Sequence, residues 1–201
     1  ALLEAMQEHQ VTIGGTTFPL EEPFMVLATQ NPIESEGTYP LPEAQLDRFM
    51  LKVRVGYPSR DEEKEVLLRM SGGQEIPVER LLMPGTILET RSAIAGLYMD
   101  QKVVDYIVDL VRATRDPASV GLNNLKPLVA FGASPRASIA LAQAARAHAF
   151  LRGRRYVVPE DVRALAPDVL RHRIVLTFEA EAEDTTTDEV VAKVLAALKV
   201  P

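Results

Sequence analysis

The stretch Val26-Leu27-Ala28-Thr29-Gln30-Asn31-Pro32 constrains this chain more than any other. An apolar run closed by a polar turn reads as a buried strand, here Phe24 to Thr29, and Asn31 stands in the turn that ends it. Open α/β sheets bind their ligands beyond the carboxyl ends of the strands, so an Asn at that edge projects toward whatever is bound. Asn before Pro also starts ordinary turns, and on local grounds alone a structural role for Asn31 stays open.

Two arginines share this placement at the boundary of an element. Arg48 closes a short helix that Pro42 opens, Glu43 to Asp47. A cation is favoured there by the helix dipole, so Arg48 reads equally as a helix-terminal residue. Arg136 is the stronger signal. Ser134 suits an N-cap, Pro135 the first turn, and Arg136 follows at once. A cation in a first turn opposes the dipole, at about 0.3–1 kcal/mol. An anion bound at the free amides would offset that cost. The alternative is a surface Arg paired with an acidic neighbour. One Asn and two Arg so placed suit a site that handles phosphate charge.

Two regions differ in character. Residues 1–57 mix strand and helix signals. Gln10 to Ile13 and Thr16 to Leu20 form a predicted β-hairpin, because Gly14-Gly15 supplies the positive φ values of a tight turn. Its two-residue turn sets Val11 opposite Phe18 and Ile13 opposite Thr16, with Thr12 and Thr17 on the other face. A further strand is expected over Phe49 to Val55. Tyr57-Pro58 marks a boundary, after which a helical region is expected over 58–178. Ser59 and Glu62 make a capping box for a helix ending before Gly72-Gly73. Asp100 caps a helix with Val103, Val104, Ile107, Val108 and Val111 on one face. Ser134 to Leu151 is Ala-rich. Pro159 starts another helix, which Pro167 is expected to break. Residues 179–201 read as an acidic linker to Asp188 and a final helix from Glu189 to Lys199. The fold class is therefore α/β plus all-α.

Composition narrows the function. The 201 residues carry 47% hydrophobic side chains, enough for a core, in runs too short to span a bilayer. Cysteine is absent, which removes disulfides and Cys-based metal sites. A formal charge of −6, few aromatics and no Trp argue against a nucleic-acid surface. No two of His9, His148 and His172 have metal-ligand spacing, so no metal site is assigned within the chain. Arg152-Gly153-Arg154-Arg155 reads as a solvated turn. Ala1 to Glu8 looks like a helix already in progress without an initiator Met or a cap, and an upstream portion is expected. No Gly-Lys dipeptide occurs and no buried strand ends in paired acids. The chain thus lacks the usual lysine for phosphates and the usual acids for Mg²⁺ and water.

Together these residues resemble the AAA+ ATPases of the MoxR family, over essentially the whole chain. Ala1 to Glu8 resembles the helix after that family's Walker B strand, and Gln10 to Leu20 the hairpin before sensor 1. Ala28-Thr29-Gln30-Asn31-Pro32 resembles sensor 1. Leu41-Pro42-Glu43-Ala44-Gln45-Leu46-Asp47-Arg48-Phe49 resembles the arginine-finger segment, and Gly132 to Ser138 resembles sensor 2. Tyr156 to Val162 and on to His172-Arg173 resembles the end of the lid. The departure is the front half, with Walker A and Walker B.

The resemblance implies a partial AAA+ core followed by a helical-bundle lid. It implies ATP bound between core and lid at a subunit interface of a hexameric ring, with Mg²⁺ and most phosphate ligands supplied upstream of this chain. Arg48 would reach a neighbour's site as a finger, Asn31 would orient the attacking water, and Arg136 would hold the γ-phosphate from the lid. The implied activity is ATP hydrolysis coupled to chaperone-like remodelling of client proteins, in the cytoplasm, with a von Willebrand A-domain partner. The chain alone is expected to be inactive. A non-enzymatic adaptor is the rival reading. A DNA-translocating motor fits less well, since the hairpin tip carries no Lys or Arg.

Overall fold

The structure, a computed structural model, describes residues 2–30, 41–73 and 77–201. Its core lies in the second half of the chain. Helix α5 (Gln101–Arg115) starts where Asp100 accepts the Lys102 amide at 2.9 Å. Helix α6 (Pro135–Leu151) and helix α7 (Pro159–Leu170) pack against it, and α9 (Thr187–Ala197) closes the bundle. Leu110, Leu141, Val162, Leu170 and Val194 are fully buried among them. Alanines 137, 140, 144, 145 and 149 face inward on α6, so that backbone comes close to its neighbours.

Several predicted elements are present. Helix α1 (Leu2–Glu8) leads into β1 (Gln10–Ile13) and β2 (Thr16–Pro19), paired as predicted, Val11 with Phe18 and Ile13 with Thr16. Gly14 and Gly15 have φ of 58° and 83°. Helix α2 (Glu43–Leu46) follows Pro42, and α3 (Arg60–Ser71) carries the Ser59–Glu62 capping box. Helix α4 (Pro84–Ala95) comes next.

Other expectations are corrected. Residues 24–29 and 49–55 form no strand among the described residues. Met25 is 71% exposed and Leu27 83%, so the run that looked buried is open to solvent. A strand exists only through a ladder with a neighbour, and none pairs with either segment among the described residues. On α5 the expected Val103, Ile107 and Val111 are buried, joined by Tyr106, Leu110 and Thr114, and only Val108 of the expected face is turned outward and exposed. Pro167 does not break α7, which continues to Leu170 with Ala166, Val169 and Leu170 buried. Burial of that last turn outweighs the hydrogen bond the proline forgoes. The acidic stretch expected as a linker holds a helix, α8 (Phe178–Ala182), capped by Thr177 and anchored by buried Ala180. Thr186 and Glu189 then cap α9, whose buried residues belong to the same core. Arg154, expected to be solvated, forks onto buried Asp161 together with His148 Nδ1, 2.6 Å from the same carboxylate. Burial by itself would raise the Asp161 carboxyl. The Arg154 fork, the Val158 amide and His148 outweigh it and hold it at about 2.

A short antiparallel pair fixes where α6 begins. Strand β3 (Val129–Phe131) pairs with β4 (Val175–Leu176). Gly132 then crosses the end of α5 so closely that a Cβ would sit 2.4 Å from the Thr114 carbonyl oxygen. The buried Thr114 hydroxyl accepts the Ala133 amide at 3.0 Å and donates to the Val111 carbonyl at 2.7 Å. Backbone and side chain of Thr114 together set the position of Ser134.

The segment after α2 is strapped to the helices. The Lys52 amide donates to the Asp168 carbonyl at 2.8 Å. Asp188 accepts from Arg54 at 2.7 Å and from Arg171 at 2.9 Å. His172 Nε2 lies 2.9 Å from the Phe49 carbonyl, while its Nδ1 is buried without a partner among the described residues. The nearer end of the chain is tied down as well, where Arg91 on α4 donates to Glu22 at 2.7 Å.

Two outcomes follow from these contacts. Gly132→Ala should destabilise the chain by about 3 kcal/mol or more, read by urea denaturation, because the obstacle is backbone and cannot swing aside. Burial pushes His172 from 6.5 down to about 4, and the Arg173 and Lys52 charges add to this against the pull of the Phe49 carbonyl. The unfolded chain therefore takes up a proton that the native state refuses between these values. Stability contributed by neutral His172 is whole above pH 6.5 and falls by about 3 kcal/mol as pH drops toward 4. His172→Gln, which keeps a donor for Phe49, should flatten that part of the stability–pH curve.

Candidate functional site

The start of α6 is built from short-range chemistry. Ser134 Oγ accepts the Arg136 amide at 3.2 Å, and Pro135 lacks an N–H where none is needed. Arg136 then stands in the first turn, where the dipole disfavours it. The structure supplies the acidic neighbour that would balance it. Arg136 Nη1 lies 3.5 Å from Asp47 Oδ2, across 89 positions of sequence. The Ser134 hydroxyl donates to the same oxygen at 2.8 Å. Asp47 ends α2 and directly precedes Arg48.

The other carboxylate oxygen belongs to Arg173, whose Nε donates to it at 2.9 Å. The Arg173 side chain is only 2% exposed. Its remaining donors go to the carbonyls of Asp47 at 3.0 Å, Phe49 at 2.7 Å and Met50 at 3.1 Å, and to that of Val169 on α7. Burial alone would raise the Asp47 carboxyl, but the Ser134 hydroxyl and the Arg173 guanidinium outweigh it and hold it below the ordinary aspartate range. Asp47 is therefore an anion at neutral pH, with one firm cationic partner and one loose one.

Of the three residues singled out in the sequence, two lie on segments that meet at Asp47. Arg136 faces Asp47, and Arg48 follows Asp47 on the same turn, half-buried, with no carboxylate paired to it among the described residues. Asn31 lies outside the described residues. Asp47 and Arg173 were not legible as site residues. An acid immediately before Arg48 is a faint signal, and nothing in the sequence tells a buried Arg from a solvated one.

The chemistry available is anion binding. The Arg136 side chain is 55% exposed and its contact with Asp47 is at the outer limit of a hydrogen bond. A phosphate oxygen could take the guanidinium and the α6 amides together. Among the described residues, no three His, Cys, Asp or Glu are grouped to hold a metal ion. No described helix is long and apolar enough to cross a membrane.

Comparison with known proteins gives the same fold. The profile of the "ATPase family associated with various cellular activities (AAA)" matches residues 1–51, and that of the "AAA lid domain" matches residues 123–194. Chaperone MoxR1 of Mycobacterium tuberculosis is 51% identical over 201 residues, all of this chain and 53% of that protein. Protein YeaC of Bacillus subtilis, itself uncharacterized, is 45% identical over all of this chain and 60% of its own length. Protein MoxR of Paracoccus denitrificans is 35% identical over 76% of this chain and 48% of its own length. A crystal structure of a Cytophaga hutchinsonii protein assigned as an ATPase superposes with a TM-score of 0.94 at 46% identity, over all of this chain and 61% of that one. The chain spans about half to three fifths of the relatives it matches. A partial AAA+ core followed by a helical lid, matched along its whole length to MoxR proteins, makes this chain a member of the MoxR family of AAA+ ATPases.

Proposed function

We propose that the longer protein to which this chain belongs hydrolyses ATP at the interfaces of a hexameric ring and uses the cycle to remodel client proteins. The observation that carries this reading is the meeting of Arg136 with the Asp47-Arg48 turn. The contact joins a helix start that can hold an anion to the turn that carries Arg48, two segments far apart in sequence. In this reading Arg48 acts as the finger toward a neighbour's nucleotide. Arg136 binds the γ-phosphate, exchanging its loose contact with Asp47 for a stronger anion. Asn31 orients the attacking water in its own subunit. Mg²⁺ and the cradle for the remaining phosphates come from the half of the protein that precedes these residues. A von Willebrand A-domain partner and a cytoplasmic site of action go with the same reading.

Arginine fingers contribute about 10³–10⁵ in rate. In the longer protein, Arg48→Ala should lower kcat on that scale while ATP binding, measured by a fluorescent analogue, stays nearly intact. Equal loss of binding would assign Arg48 to its own subunit's pocket. The 201-residue chain by itself should show no ATP turnover; turnover that disappears with Arg136→Ala would reject the division of labour proposed here.

A non-enzymatic adaptor is the competing reading, favoured by the exposure of Leu27, Val55 and Tyr57 on the first segments. A phosphate loop of the form Gly-x-x-x-x-Gly-Lys-Ser/Thr in the preceding sequence supports the ATPase, and its absence supports the adaptor.

A further inference from the structure

We infer that Asp47 is a positioning residue for the arginine-finger turn, clamped by Arg173, so that Arg48 is aimed by the lid of its own subunit. The inference rests on the reading of Arg48 given above. Its basis is the distribution of bonds around 47–54. Helix α2 ends at Leu46, and the segment after it has no regular structure of its own among the described residues. Beyond the local bonds that close the turn, from the Asp47, Arg48 and Phe49 amides back to α2, the partners that fix it belong to the lid. Arg173 binds the Asp47 carboxylate and three backbone carbonyls of the turn, those of Asp47, Phe49 and Met50, and returns to Val169. Ser134 at the head of α6 holds the second carboxylate oxygen at 2.8 Å. Lys52 and Arg54 continue the attachment through Asp168 and Asp188.

The geometry explains why an acid precedes the finger. A carboxylate offers two oxygens in one plane. One faces α7 through Arg173 and the other faces α6 through Ser134 and Arg136. Asp47 thus spans the ends of two lid helices, and the next residue along the chain is Arg48. A shift of about 1 Å in a catalytic group can cost on the order of a hundredfold in rate. Fixing the backbone of Arg48 to the ends of two long helices limits such shifts. It also means that a tilt of the lid, when nucleotide binds or leaves, carries the finger with it.

The test uses the longer, ring-forming protein and two variants, Asp47→Asn and Arg173→Lys. Asn keeps the shape of Asp47 without its charge, and Lys keeps the charge of Arg173 without its fork. Each should lower kcat by roughly a hundredfold with KM for ATP little changed, since aim is lost and binding is not. Each variant should then be mixed with subunits whose own hydrolytic acid is disabled but whose finger is intact. Recovery of turnover in the mixture is expected, because the variant's own site can be served by a neighbour's finger. Failure to recover, where Arg48→Ala mixtures do recover, overturns the role of Asp47 and leaves the finger reading standing. Full turnover by Arg48→Ala alone overturns the finger reading itself. Loss of nucleotide binding by both variants also overturns the inference, since the residues would then support the fold rather than the aim.

Discussion

The buried guanidinium of Arg173 is the interaction on which the site depends. Taking such a charge out of water costs several kcal/mol, and Coulomb attraction to one carboxylate repays it only when the other donors are satisfied as well. Here they are, by four backbone carbonyls in addition to Asp47. The consequence is structural specificity. A residue at the end of α7 defines the path of a segment more than a hundred positions earlier. His172 beside it works in the same direction as a neutral donor to Phe49, since burial, and after it the charge of Arg173, disfavours its protonation.

Charge balance around Asp47 prepares the exposed side of the site. One negative charge stands between two guanidiniums, and they are not equivalent. Arg173 is enclosed and bonded along its whole fork, whereas Arg136 is largely in solvent at 3.5 Å. At that separation and near a surface, the attraction is worth between about 1 and about 5 kcal/mol before screening and desolvation are deducted. A phosphate carries more charge and more acceptor oxygens, and it can also reach the first-turn amides of α6. Arg136 is therefore held in place without being used up.

What the sequence made legible divides along the range of the forces involved. The hairpin, the Ser59–Glu62 box, the Asp100 cap and the Ser134-Pro135 start of α6 are decided within a few residues, and each is found where the residues indicate. Arg136 stood out for the same reason, as a local conflict between a charge and a dipole. Phe24 to Thr29 and Phe49 to Val55 have the composition of strands, but strand pairing is a property of two segments and neither has a partner among the described residues. Pro167 and the acidic stretch 179–188 misled because helix is tolerated where burial favours it, as Val169, Leu170 and Ala180 show. Asp47 and Arg173 are the opposite case from Arg136. Their meaning lies entirely in a contact between distant segments, and each alone resembles any surface acid or base.

The same division bears on the coupling that the proposed function requires. If the finger turn were held by local bonds alone, lid and finger would move independently, and nucleotide binding in one subunit would leave its aim at the neighbour unchanged. Coupling requires an element with two arrangements whose balance both sites influence. Because the bonds of 47–54 run to α6, α7 and the start of α9, the turn and the lid form one packed unit, and packed units shift as bodies. Arg136 sits on that unit at a contact that an anion can replace. Binding a phosphate would withdraw Arg136 from Asp47 while leaving Arg173 in place, so the change in charge is felt at the residue adjoining Arg48. In the proposed function the loose partner would sense the nucleotide and the firm one would transmit the position of the lid, with a single carboxylate between them joining the two effects.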